Sequence, residues 1–193
     1  MNSHFWWYLS RSAGTVAWLL VLASCAWGIL LATRLFRGYD RPAWLLDLHK
    51  WFGTLLLAAT FVHLVALVGD SYSQFGPKEI LIPFASSWHP RGVALGMLAM
   101  YMLAAIQITS WAMKKLPKKL WRAVHLSSYV AFIMVTWHAI TTGTDMTSRL
   151  YGALTIMMVT LAAALGAARL VTLRTSTKSP RLTQVSVPDA KME

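Results

Sequence analysis

Five stretches of the chain, residues 13–33, 43–69, 92–113, 120–140 and 150–171, are apolar almost without interruption. Each has about the 20 residues that a helix needs to cross the hydrocarbon of a bilayer. Nearly all the charge is confined to the short segments between them, a distribution that a water-soluble fold does not need. Apolar residues make up 56% of the 193, too many and too contiguous for the alternating pattern of a transmembrane barrel. The fold class is therefore all-α: a polytopic membrane bundle of about five transmembrane helices.

The formal charge of +11 would suggest nucleic acid in a soluble domain. Here the cations gather where they set topology and meet lipid head groups, so membrane lipid is the expected partner and nucleic acid is not. Arg34, Arg37 and Arg41 follow the first span; Lys114, Lys115, Lys118, Lys119 and Arg122 follow the third; Arg169, Arg174, Lys178 and Arg181 follow the fifth. Those segments are expected on the cytoplasmic side. The N-terminus and the connections 70–91 and 141–149 are then outside, with the C-terminus cytoplasmic. Residues 1–172 read as one membrane domain, and 173–193, rich in Ser, Thr, Pro and Lys, as a disordered basic tail. The first apolar run is too long for a cleaved signal and is expected to be a retained span. Trp6, Trp7, Trp44, Trp88, Trp111 and Trp121 lie near span ends and read as interfacial anchors.

The single cysteine, Cys25, sits inside the first span, which excludes a disulfide framework and a Cys-ligated cluster. Histidine carries the chemistry instead. His49 and His63 fall in the second span and His125 and His138 in the fourth, whereas His4 and His89 lie in outward segments and read as solvated. Ionisable groups are costly in hydrocarbon and normally face the bundle interior, where they bind or conduct something. The spacings of 14 and 13 positions put the members of each pair about 20 Å apart along a helix, one toward each face of the membrane.

Spans two and four run in the same direction. His49 is thus level with His125 near the inner face, and His63 with His138 near the outer face. Two opposed imidazoles at each level are what a six-coordinate heme requires. Zinc transport, a proton relay or a structural role remain open alternatives, although the one acid in either span is Asp47, at its entrance. The angular fit is imperfect. Fourteen residues leave His63 about 40° from the direction of His49, and thirteen leave His138 about 140° from His125. Helix tilt or a local irregularity has to supply the difference.

Four features resemble the ferric reductase-like transmembrane domain, which is shared by ferric reductases, NADPH oxidases and the heme-binding membrane subunit of the bacterial methionine sulfoxide reductase system. They are Y-L-S-R-S-A-G at 8–14, the pair His49 and His63 around W-F-G, I-T-S-W at 108–111, and L-W-R-A-V-H-L-S-S-Y-V running on to His138. The resemblance covers residues 6–170. It implies two b-type hemes, the inner held by His49 with His125 and the outer by His63 with His138. It also implies that Arg11 lies near the outer heme and Arg122 near the inner one, where a guanidinium can pair with a propionate.

The function implied by the resemblance is electron transfer across an inner (plasma) membrane to an outer-face acceptor, either an external reductase or a metal. Complete reductases of this kind continue into a flavin and nicotinamide domain, but no Gly-rich dinucleotide fingerprint occurs in this chain. A separate flavoprotein or membrane quinol is therefore the expected donor, and an oxidoreductase subunit the expected role. Superoxide-producing members carry a further His one turn after the outer ligand, where this chain has Leu67. Members often have a sixth span, which would precede Tyr8. Asp70 and Asp145 each come seven residues after an outer histidine and place two carboxylates about 10 Å beyond it, suited to attract a cationic acceptor or to cap a turn. Gly53 and Gly96 read as close helix packing or clearance for a macrocycle.

Overall fold

The structure, a computed structural model, describes residues 4–33, 42–71, 73–144 and 148–177. Arg34, Arg37, Arg41, Asp145, Lys178 and Arg181 lie outside the described residues, as does the tail beyond 177. Among the described residues the ordered elements are all helical: α1 (Phe5–Thr33), α2 (Pro42–Gly69), α3 (Pro77–Leu81), α4 (Pro90–Trp111), α5 (Lys118–Leu126), α6 (Ser128–Thr142) and α7 (Arg149–Thr177). Five segments are long and apolar enough to span: Phe5–Thr33, Ala43–Gly69, Pro90–Trp111, Lys118–Thr142 and Arg149–Arg169. The five expected spans are all present.

The boundaries differ in informative ways. α1 begins at Phe5, eight residues before the apolar run, because an N-terminal turn containing Arg11 and Ser12 is compatible with helix even though it is not hydrophobic. α7 continues to Thr177, into the segment read as tail. The fourth span is two helices rather than one. The Ser127 N–H bonds to Val124 O at 3.1 Å, a three-residue step, and the Ser127 hydroxyl also donates to Val124 O at 2.6 Å. Such a tight turn winds faster than an α-helix, about 120° per residue against 100°. It acts between His125 and His138 in the direction that reduces their angular mismatch. Ser127 is thus a local irregularity that supplies part of the angular difference.

α1 packs mainly on α2, and α4 mainly on α6, with α7 resting on α1. Many large apolar side chains are exposed, including Trp51, Phe61, Ile133 and Ile156, as lipid-facing helices require. Span hydroxyls are satisfied within their own helices, as where Thr60 donates to Leu56 O at 2.8 Å and Thr109 to Ala105 O at 2.7 Å. The main buried cluster includes Trp18, Val21, Leu56, Leu103, Ala131, Phe132 and Met158. It is tied across α1 and α6 by the Trp18 indole N–H donating to Thr136 Oγ1 at 3.1 Å. Leu56 lies halfway between the two histidines of α2, and Ala131 and Phe132 lie midway between His125 and His138. The core is thus an apolar layer midway along the spans, with one histidine level on either side.

Candidate functional site

Each histidine of α2 rests against α1 at a point where α1 presents a serine and, one turn later, a glycine. Ser10 and Gly14 meet His63, and Ser24 and Gly28 meet His49. The S-x-x-x-G pattern recurs with the same 14-residue period as the histidines, so one antiparallel register brings both into contact. The His63 Nδ1–H donates to Ser10 O at 2.7 Å, with the Ser10 hydroxyl 3.2 Å away. A Cβ added at Gly14 would stand 3.0 Å from His63 Nδ1, and one at Gly28 would stand 3.4 Å from His49 Cε1.

α4 treats the other two histidines in the same way. The His138 Nδ1–H donates to Gly92 O at 2.8 Å, and a Cβ at Gly96 would fall 2.6 Å from His138 Nδ1. His125 Nδ1 lies 3.5 Å from Ser110 Oγ, matching the 3.5 Å between His49 Nδ1 and Ser24 Oγ. A carbonyl oxygen can only accept, so Nδ1 of His63 and of His138 carries the proton and Nε2 keeps its lone pair. That is the tautomer in which a histidine binds a metal through Nε2 while a backbone partner fixes the ring. The inner histidines, at the limit of hydrogen-bond length, are held more loosely.

The inner level brings two of the rings together. His49 and His125 have ring centres 5.9 Å apart with planes at 72°. Two imidazoles on opposite sides of one metal ion need about 6 Å between centres: two bonds of about 2 Å and about 1 Å from each centre to its nitrogen. At the outer level His63 is held by α1 and His138 by α4. The helices bearing these histidines pack on α1 and α4 more than on each other. This donor set, with Nε2 lone pairs on His63 and His138 and with His49 and His125 standing ring to ring, fits iron in a planar macrocycle. It does not fit a tetrahedral site, since among the described residues no three His, Cys, Asp or Glu side chains converge. A groove of about 470 Å³ between α1, α6 and α7 is lined almost wholly by apolar groups and contains none of the four histidines.

A family model described as "Ferric reductase like transmembrane component" matches residues 12–136. The chain belongs to that ferric reductase-like transmembrane family. No curated protein matches, and neither does any solved structure. The matched segment contains His49, His63, Arg122 and His125 and ends just before His138. Family membership points to electron transfer in a membrane, and domains of this family usually bind heme.

The remaining expected site residues divide. Arg11, half-buried beside Ser10, holds its guanidinium 3.9 Å over the Trp7 ring. Arg122 is exposed, one turn before His125. Asp70 is only 4% exposed and accepts the Ser73 N–H at 3.2 Å, which is a turn-capping role. Gly96 clears His138, whereas Gly53 clears the Gln107 amide, so the two glycines serve different neighbours. Sequence reasoning missed Ser10, Gly14, Ser24, Gly28 and Ser110, although the repeated S-x-x-x-G was legible. It also read Trp121 as an anchor. Trp121 also stacks on His125, with centres 5.1 Å apart and planes at 25°, and its buried indole N–H has no hydrogen-bond partner among the described residues.

Proposed function

We propose that this chain is a membrane electron carrier holding two b-type hemes, one between His49 and His125 and one between His63 and His138. It passes single electrons from a cytoplasmic flavoprotein or membrane quinol to an acceptor at the outer face. The observation that carries this reading is the 5.9 Å approach of His49 and His125, from two helices that pack on α1 and α4 more than on each other. Bound heme iron would supply the one-electron chemistry. The chain supplies the rest: Ser10 and Gly92 carbonyls orient the outer imidazoles, glycines let them sit flat, and the Leu56–Phe132 layer keeps water out between the two levels.

Orientation is read from charge. Lys114, Lys115, Lys118 and Lys119, around the start of α5, mark that end as cytoplasmic in a bacterial-type inner membrane, which makes the His49–His125 level the entry side. Arg11 at the outer level and Arg122 at the inner level are suited to neutralise heme propionates. The role is that of an oxidoreductase subunit serving an external reductase, with direct reduction of a metal as the second use of the same path.

The test is a reduced-minus-oxidised visible spectrum with heme quantified per chain, for the native protein and for His63→Ala and His138→Ala. Close to two low-spin hemes, falling toward one in each variant, is expected. A well-folded, heme-supplied preparation that binds none would overturn the reading.

A further inference from the structure

We propose that residues 73–88 form a re-entrant cover that dips into the outer leaflet and presents its apolar face to lipid acyl chains. In the sequence this stretch belongs to a water-facing loop, yet Leu81, Ile82, Phe84 and Trp88 are all exposed and large. A patch of that kind on a soluble surface would need a partner. Its depth identifies the partner.

The Tyr101 hydroxyl donates to Leu81 O at 2.6 Å. Tyr101 is eleven residues into α4 from Pro90, about 16 Å along the axis. A tyrosine stretched its full length of about 7 Å toward the helix start still leaves Leu81 O about 6 Å inside the outer end of α4. α4, at 22 residues, is only about as long as the hydrocarbon is thick, so that carbonyl lies within it. Packing agrees, because Phe75 clusters with Val93 and Met97, and Ile80 of α3 and Met100, deeper on α4, pack against them.

Several polar groups of the segment are satisfied by neighbouring protein groups, as non-helical backbone at membrane depth requires. Leu81 ends α3, and its orphan carbonyl is the one that Tyr101 caps. Glu79 accepts the Gly76 N–H at 2.9 Å. Ser86 donates to Trp88 O at 2.9 Å and accepts the Trp88 N–H at 3.2 Å. Lys78 is exposed and has a stem long enough to snorkel to the head groups. Three non-glycine residues with left-handed backbone, Gln74 at φ 52°, Phe84 at 65° and His89 at 43°, fall in or at the end of this one segment. Tertiary contacts hold a path that local preference would not choose. Leu67, one turn beyond His63, packs on the same cluster, so the cover also seals the α2–α4 cleft at the outer histidine level.

Spin labels at Leu81→Cys and Phe84→Cys, in a Cys25→Ser background reconstituted in vesicles, test this against Lys115→Cys as an aqueous control. Collision with oxygen should exceed collision with a water-soluble nickel chelate at 81 and 84, and the order should reverse at 115, with ratios differing several-fold. Equal ratios at all three positions would overturn the proposal and place the segment in water. The native chain gives an independent answer by photolabelling with a carbene probe confined to acyl chains. Incorporation within residues 80–84 supports the cover; labelled α4 peptides with none there refute it.

Discussion

Glycine-to-alanine substitution at the three histidine contacts gives a graded test of the site. A Cβ at Gly96 would stand 2.6, 2.7 and 2.8 Å from three atoms of the His138 ring, at Gly14 it would stand 3.0 and 3.1 Å from His63, and at Gly28 3.4 Å from His49. The last is an ordinary contact. In Gly96→Ala the ring has to retreat by about 1 Å, which breaks its 2.8 Å bond to Gly92 O. Overpacking costs about 1–3 kcal/mol and the lost hydrogen bond about 1. The helical preference of alanine returns about 1 kcal/mol at every one of the three positions. The net is about 1–3 kcal/mol against outer-site occupancy in Gly96→Ala, roughly 5- to 150-fold weaker heme retention. Gly14→Ala should lose less, and Gly28→Ala should be neutral or slightly more stable. Heme per chain after a fixed competition with apo-myoglobin reads this directly. If Gly96→Ala keeps its full complement, or Gly28→Ala loses as much as Gly96→Ala, the glycines do not act as seats for the histidines.

Trp18→Phe removes a buried indole donor and strands the Thr136 hydroxyl, so thermal stability in one detergent should fall by about 1–3 kcal/mol while the heme spectrum holds its shape. Ser10→Ala should leave the outer heme nearly unaffected, since the carbonyl rather than the hydroxyl makes the shorter bond to His63; a loss comparable to His63→Ala would assign the work to the hydroxyl. Arg11→Gln should lower the midpoint potential of the outer heme alone, because a removed cation no longer favours the reduced form; redox titration resolving both hemes will show whether only one moves.

Sequence by itself determined the class of the molecule. Apolar length fixes the number of spans whatever their packing, because lipid leaves a backbone no choice but helix, and histidines in hydrocarbon single themselves out by their cost. Their spacing also announced that helix tilt or a local irregularity had to make up an angular difference. Only the tertiary structure located that irregularity at Ser127, since a serine in an apolar run carries no mark of where a helix tightens. It also decided which small residues matter: Gly96 and Gly53 are equivalent as letters, but one faces an imidazole and the other an amide. Two long-range contacts, Trp121 on His125 and Tyr101 on Leu81, were not legible for the same reason. A tryptophan at a span end and a mixed loop take their meaning from the neighbour across the bundle, here His125 and Tyr101, and pairwise neighbours far apart in the chain are what a one-dimensional pattern does not encode.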